Sequence, residues 1–339
     1  MRTTGRILKT MLIVVCVVLG ASLAAATAGA QPKPALLRAP TPSLALAPQS
    51  GARSKVIIDT DIGDDVDDAF ALALALQSPE LDVIGITTAW GNTHLRVRLV
   101  ERFLAETTHA GIPVAEGIAT KTKSPFTQAR WAEAGPPLGS HPGAVNFLLE
   151  QIREHPGEIT LVAIGPLTNV GAAIEKDPAT FRELKRVVLM GGSIHRRYGD
   201  LGYAPDRGPE PEYNIFSDIP AAQRLFASGV PIFMMPLDST QLKLDEVKRG
   251  LLFSAGARLT DALAALYYQW GQLTPTLFDA VAVAYAVNPQ LCPVTPMHIE
   301  VDEQGYTRAT PASPNASACL DSDSEQFFRF LLPRLLPQH

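Results

Sequence analysis

From residue 55 onward, short apolar runs closed by Gly, Asn or Asp recur along the chain, at residues 55–60, 83–88, 159–165, 186–192 and 231–238. Runs of this length with little polar alternation predict strands buried on both faces. Several are separated by helix-like stretches, at residues 69–76, 144–154 and 221–228. Strands alternating with helices predict an α/β fold, a mostly parallel sheet with helices on both faces. In open sheets of this kind ligands bind beyond the carboxyl ends of the strands, so chemistry is expected there. Two segments break the rhythm. Residues 121–143 and 193–211 are rich in Gly, Pro, aromatic and charged residues and exceed a usual connection. They read as lids over a site, or else as surface excursions with no role.

The amino-terminal stretch follows a different pattern. Arg2, Arg6 and Lys9 precede an apolar run from Met11 to Ala26, and Ala28-Gly29-Ala30 supplies small residues for cleavage. This predicts a signal peptide over residues 1–30, an exported protein that is periplasmic or secreted, and no stable membrane insertion after cleavage. Residues 31–54, rich in Pro, Ala and Ser, read as a flexible linker, which leaves residues 55–339 as the folded domain. Its composition, 46% hydrophobic and 19% charged over the whole chain, suits a large buried core. Loss of three basic residues and no acid with the signal takes the formal charge from −5 to −8. Nucleic acid and anionic membranes are poor partners for such a surface. Cys292 and Cys319 would be the cysteines left after processing, and they either pair in an oxidising compartment or remain two buried thiols.

The densest chemistry lies at the end of the first predicted strand. Six of the ten residues from Asp59 to Asp68 are aspartates, and a helix is predicted to start near Val66. One or two Asp at a helix start serve as caps or offset the helix dipole. Six exceed that need, and carboxylates crowded at a sheet end repel one another unless solvated, protonated or neutralised by a cation. Oxygen donors with no Cys or His nearby favour a hard ion, calcium before magnesium, over zinc. An EF-hand starting at Asp59 fails, because Gly63 and Phe70 stand where oxygen ligands are needed. A haloacid dehalogenase phosphohydrolase using magnesium also carries Asp-x-Asp after its first strand, but its later acidic motif is not evident.

The segments Asp59-Thr-Asp-Ile-Gly63 and Asp67-Asp-Ala69 resemble the two halves of Asp-Thr-Asp-Pro-Gly-x-Asp-Asp-Ala, the opening motif of the inosine-uridine nucleoside hydrolases, with two extra residues between them. Four later segments extend the resemblance to Tyr285: Ile86-Thr-Thr-Ala-Trp-Gly-Asn92, Ile164-Gly-Pro-Leu-Thr-Asn169, Met190-Gly-Gly192 with Glu212-Tyr-Asn214, and Phe278-Asp-Ala280. The resemblance implies a nucleoside hydrolase-like fold with its site at the carboxyl ends of the strands. It further implies Ca2+ bound by Asp61, Asp68, Asp279 and the carbonyl of Ile164, and ribose contacts from Asp67, Asn92, Glu212, Asn214 and Asp279. Asp61 would take the proton of the attacking water, with Asn92 beside it. The two extra residues leave open whether Asp64 or Asp65 takes over one of these roles. Read without the family, Glu212 and Asn214 fit a solvated strand face, and Asp279 a helix cap.

The expected activity is therefore calcium-dependent hydrolysis of the N-glycosidic bond of a small-molecule ribonucleoside, and the family suggests a homodimer or homotetramer. A nucleoside-binding protein without turnover is the alternative, raised by Phe278, which stands where relatives often carry His. Without that imidazole, solvent and stacking of the base are the expected help for the leaving group, ahead of His94 or His195. Tyr198, Tyr203, Trp131 and Phe278 are the candidates to stack on the base.

Overall fold

A computed structural model describes residues 52–135, 139–200 and 208–337. The expected signal peptide, most of the expected linker and Tyr203 lie outside the described residues. Nine strands form one sheet: β1 (Ser54–Thr60), β2 (Leu81–Thr88), β3 (Val114–Ala115), β4 (Thr160–Ala163), β5 (Arg186–Met190), β6 (Ile232–Met235), β7 (Val294–Val301), β8 (Thr307–Thr310) and β9 (Ala316–Cys319). Their order is β3-β2-β1-β4-β5-β6-β9-β7-β8. The first six strands pair in parallel, β9 adds in parallel to β6, and β7 and β8 complete the edge antiparallel. The mostly parallel α/β sheet expected from the apolar runs is present. The antiparallel edge was not anticipated, because Val294–Val301 alternates with exposed Thr295, Pro296 and Glu300 and lacks the continuous apolar signature.

Successive residues of the central strands feed two cores. Val56 and Ile58 of β1 join one, and Ile57 joins the other; Val162 and Val188 likewise oppose Leu161, Val187 and Leu189. This two-sided burial is why the strands read as unbroken apolar runs. Helices cover both faces. Ala144–Glu154, Thr168–Lys176 and Ile219–Ala227 lie in one core, while Asp67–Leu76 and Phe278–Val287 lie in the other. The last two are apolar nearly all round, Asp-Asp-Ala-Phe-Ala-Leu-Ala-Leu-Ala-Leu and Phe-Asp-Ala-Val-Ala-Val-Ala-Tyr-Ala-Val, and they pack against each other in the interior. A helix without a polar face has no stable place at the surface, and the alanines allow close approach.

The connectivity sets where a ligand can enter. From β1 the chain runs outward through β2 and β3, then crosses to the other side of β1 at β4. The connections leaving β1 and β4 therefore diverge, opening a crevice beyond their carboxyl ends at a topological switch point. Asp61 follows β1 and Ile164 follows β4.

Cys292 and Cys319 form a disulfide, which ties the start of β7 to the end of β9 across 27 residues of chain. Replacing both with Ser removes a link that shortens a loop of the unfolded chain. The expected loss is about 3 kcal/mol of stability. A thermal or urea melt of the double variant beside the oxidised parent checks it, and coincident melts would show that the link contributes nothing.

Candidate active site

Packing of the two interior helices brings their amino termini together, and with them three carboxylates. Asp67 and Asp68 occupy the first turn of Asp67–Leu76, and Asp279 that of Phe278–Val287. All three are buried, and oxygens of the three lie within 4.8 Å of one another. Burial first drives all three well above the usual carboxylate range; repulsion then adds, from Asp65 and Asp61 on Asp67, from Asp61 and Asp67 on Asp68, and from Asp67, Asp68 and Asp61 on Asp279. The helix dipoles offset part of this, since the first-turn amides of both helices point toward the cluster. Thr60 Oγ1 also donates to Asp68.

Asp61 lines the same cavity from the end of β1. Burial pushes it up to about 7; the Arg96 guanidinium opposes the shift, while Asp64 and Asp59 add to it. The chain comes very close here, since a Cβ at Gly165 would stand 2.9 Å from both the amide nitrogen and Oδ1 of Asp61. Behind it lies Asp59, one oxygen of which accepts from Thr87 Oγ1 and from Asn169 Nδ2 at 2.8 Å. Its other oxygen is buried with no partner among the described residues, and burial raises Asp59 to about 6.

The two extra residues of the acidic loop now have a definite place. Asp64 pairs with Arg96 at 3.0 Å, and Asp65 turns back to accept from the amide of Val66. Both line the cavity, yet the compact trio is Asp67, Asp68 and Asp279. Asp61 stands in the cavity outside that trio, and Asp67, expected only at the ribose, stands inside it.

Ile164, Met190, Glu212, Tyr213 and Asn214 form part of the remaining wall. Glu212 and Asn214 are buried and begin the helix Tyr213–Ser217, so the solvated strand face is not what the chain adopts. Glu212 caps that helix and accepts from the amides of Gly192, Asn214 and Ile215 and from Tyr198 Oη. Asn214 Nδ2 donates to the carbonyls of Ile164 and Met190 at 3.3 and 3.2 Å. Ser124, Pro125 and Thr127 from one long loop and Tyr198 from the other also line the cavity. Ser124 Oγ and Tyr213 Oη meet at 2.8 Å, and Tyr198 stands edge-on to Phe278 with ring centres 5.8 Å apart. The cavity, about 320 Å³ and open on one side, falls within the range of small-ligand sites.

Two expected residues lie elsewhere. Asn92 is exposed; its side chain accepts from the Leu95 amide and caps the helix Thr93–Glu106, so it does not reach the cavity. Capping is the ordinary use of Asn before a helix and competes with any contact to a ligand. Trp131 packs edge-on to Phe103 in the core with Arg102 4.3 Å from its ring, because an indole in a short helix facing apolar neighbours gains more from burial than from solvent. Among the described residues no histidine lines the cavity, His94 and His195 included. The sequence reading missed Arg96, Ser124, Trp270 and Gln272. Arg96 had a visible signal, falling on the apolar stripe of its helix with Leu99, Val100 and Phe103.

The model of the family described as inosine-uridine preferring nucleoside hydrolase matches residues 56–329. Uridine nucleosidase 1 of Arabidopsis thaliana is 32% identical over 278 residues, covering 75% of this chain and 80% of the plant protein. The pyrimidine-specific ribonucleoside hydrolase RihB of Escherichia coli strain SE11 is 32% identical over 282 residues, 74% of this chain and 83% of its own. Among solved structures, a plant nucleoside hydrolase, the PpNRh1 enzyme, aligns with a TM-score of 0.72 at 27% identity, covering 84% of this chain and 99% of that one. With that fold and this acidic cavity, the chain belongs to the inosine-uridine preferring nucleoside hydrolase family. It is an enzyme of the class that hydrolyses the N-glycosidic bond of small ribonucleosides, and neither the phosphohydrolase nor the turnover-free binding alternative is favoured.

The crowded carboxylates set a pH dependence for the cation-free protein. A carboxyl whose folded pKa exceeds its unfolded value holds its proton more tightly when folded, so its stabilising contribution is full at acid pH and falls as pH rises. For Asp61 that decline runs from 3.8 to about 7, and for Asp59 from 3.8 to about 6. In chelator, the melting temperature should fall between pH 4 and 7, and added divalent cation should restore more of it at pH 7 than at pH 5. A cation effect equal at both pH values would mean that the buried acids do not repel as described.

Proposed function

We propose that this protein is a calcium-dependent ribonucleoside hydrolase that releases free base and ribose, with uridine and related pyrimidine nucleosides as its preferred substrates. One observation carries the reading: three buried carboxylates and Asp61 face Glu212 and Asn214 across a single cavity. Asp61, Asp68, Asp279 and the Ile164 carbonyl are the proposed ion ligands, and Asp67 lies close enough to share in them. The donors are oxygen throughout and carry excess negative charge, which suits a hard divalent cation. When bound, calcium neutralises that charge and makes water more acidic.

The side chains then divide the work. Asp67, Asp279, Glu212 and Asn214 hold the ribose hydroxyls, with Glu212 exchanging its contact to Tyr198 for one to the sugar. Asp61 removes the proton of the water that attacks C1′. As the bond to the base breaks, positive charge grows on C1′ and O4′, and the surrounding carboxylates stabilise it. Tyr198 and Phe278 flank the departing base. With no imidazole among the described residues of the cavity, a base that leaves readily as an anion is favoured, and uracil, whose two ring carbonyls delocalise the charge, meets that need. The names of the two relatives point the same way. The disulfide supports export to an oxidising compartment, periplasmic or extracellular.

Free base, reducing sugar and phosphate measured over a panel of nucleosides and nucleotides test the reaction. Base and sugar should appear together from uridine, without phosphate from nucleotides. Asp61→Asn should lower kcat by roughly 10²- to 10⁴-fold while nucleoside still binds, and Asp68→Ala or Asp279→Ala should weaken calcium retention. Full activity in a sample verified to be free of metal would sink the calcium requirement.

The pH profile tests the leaving-group step. kcat/KM should rise with pH and then level off, with no alkaline limb of imidazole type. A limb that vanishes in His94→Ala or His195→Ala would assign the acid to a histidine from outside the cavity.

A further inference from the structure

The acidic loop of this chain lacks the proline of the motif it resembles, Ile62 standing in its place, and it is two residues longer. Proline fixes one backbone torsion, so losing it while lengthening a loop adds conformational freedom beside Asp61. The structure removes that freedom from outside. Arg96 is wholly enclosed, although its own helix offers it no acidic partner within one turn. Its Nη1 donates to the carbonyls of Asp61 and Ile62, the latter at 2.9 Å. Its Nη2 meets the Asp64 carboxylate at 3.0 Å, and Nε donates to the Trp90 carbonyl at 2.8 Å. One guanidinium thus joins the connection after β1 to the connection after β2.

The next residues of the loop are held by a second segment, residues 126–128. Gly63, Asp64 and Asp65 give their carbonyls to the Gln128 amide, to Thr127 Oγ1 and to Gln128 Nε2, at 3.1, 2.8 and 2.6 Å. Phe126 closes the arrangement, with the Arg96 guanidinium carbon 5.2 Å from its ring centre. The same ring lies against Gly63, whose φ of +128° and lack of a Cβ admit it. All five carbonyls from Asp61 to Asp65 are therefore engaged by groups outside the loop, which fixes each peptide plane and, through it, the direction of the Asp61 side chain.

We propose that Arg96 is a positioning residue of the active site, a buried fork that takes over the work of the missing proline and aims Asp61 into the cavity. The inference rests on the reading of Asp61 as the group that accepts the proton of water. A fork is required because the four acceptors lie in different directions around one plane. Lysine carries the same charge but cannot reproduce that set of contacts.

The test uses the full chain with saturating calcium, uridine as substrate, and melting temperature as the check on folding. In Arg96→Lys, kcat should fall on the order of 100-fold, the cost of a small misplacement of a reacting group, with KM changed far less. In Arg96→Ala, millimolar guanidinium should restore part of kcat, whereas methylammonium should not. Asp64→Asn, which keeps the loop and the guanidinium but removes the charge-assisted contact, should lose roughly tenfold in kcat, and it decides the matter if the Arg96 variants do not fold. Wild-type kcat in folded Arg96→Lys, or in Asp64→Asn where the former does not fold, would overturn the proposal. So would equal recovery with methylammonium, which would show that charge alone suffices. If wild-type enzyme releases base and ribose but Asp61→Asn does so equally well, the reading of Asp61 has failed instead.

Discussion

Asp67, Asp68 and Asp279 are buried with oxygens within 4.8 Å of one another at the amino ends of two apolar helices, and Asp61 adds to their repulsion. Three desolvated carboxylates at that spacing oppose folding unless they share protons or bind a cation, and helix dipoles offset only part of the cost. Much of the surrounding structure serves to impose this arrangement. The alanine-rich helices Asp67–Leu76 and Phe278–Val287 pack closely because neither has a polar face to show to water. Their packing, rather than any local preference of the aspartates, holds like charges together.

The cost becomes useful because of where it falls. The change of direction between β1 and β4 opens a crevice, and the acidic helix ends, Asp61 and Ile164 all line it. A polar ligand entering there meets fixed carboxylates on one wall and the buried pair Glu212 and Asn214 on another. Glu212 and Asn214 are held by backbone contacts before any ligand arrives, so little reorganisation of that pair is needed. The long loops add Ser124 and Tyr198 to the cavity wall, and the contact between Ser124 and Tyr213 ties one loop to the helix Tyr213–Ser217.

Arg96 shows how a local departure from a family motif is absorbed. An acidic loop without its proline would be free to turn Asp61 away, and repulsion from the neighbouring acids would favour that turn. The guanidinium opposes both tendencies, by fixing carbonyls and by placing a positive charge beside Asp61 and Asp64. Phe126 and Gln128, from a loop 63 residues further on, complete the hold.

The sequence by itself determined the mostly parallel sheet, because strands buried on both faces must be apolar throughout, and it determined the acidic strand end, because six aspartates in ten residues have no ordinary structural use. It also pointed, through segments that resemble the motifs of a family, to Asp61, Asp68, Asp279 and Ile164, which all line one cavity. It did not decide which carboxylates converge, since Asp64, Asp65, Asp67 and Asp68 are equivalent by type and spacing. Packing of the two interior helices brought Asp67 and Asp68 to Asp279, while Asp64 paired with a guanidinium 32 residues away. Asn92 read as a site residue from its motif, yet a free helix terminus claimed its side chain. The disulfide, the antiparallel edge and the clamp around Arg96 were likewise decided by tertiary structure, because each joins residues far apart in sequence. Their partners are chosen by how whole elements pack, and no local pattern of residues records that choice.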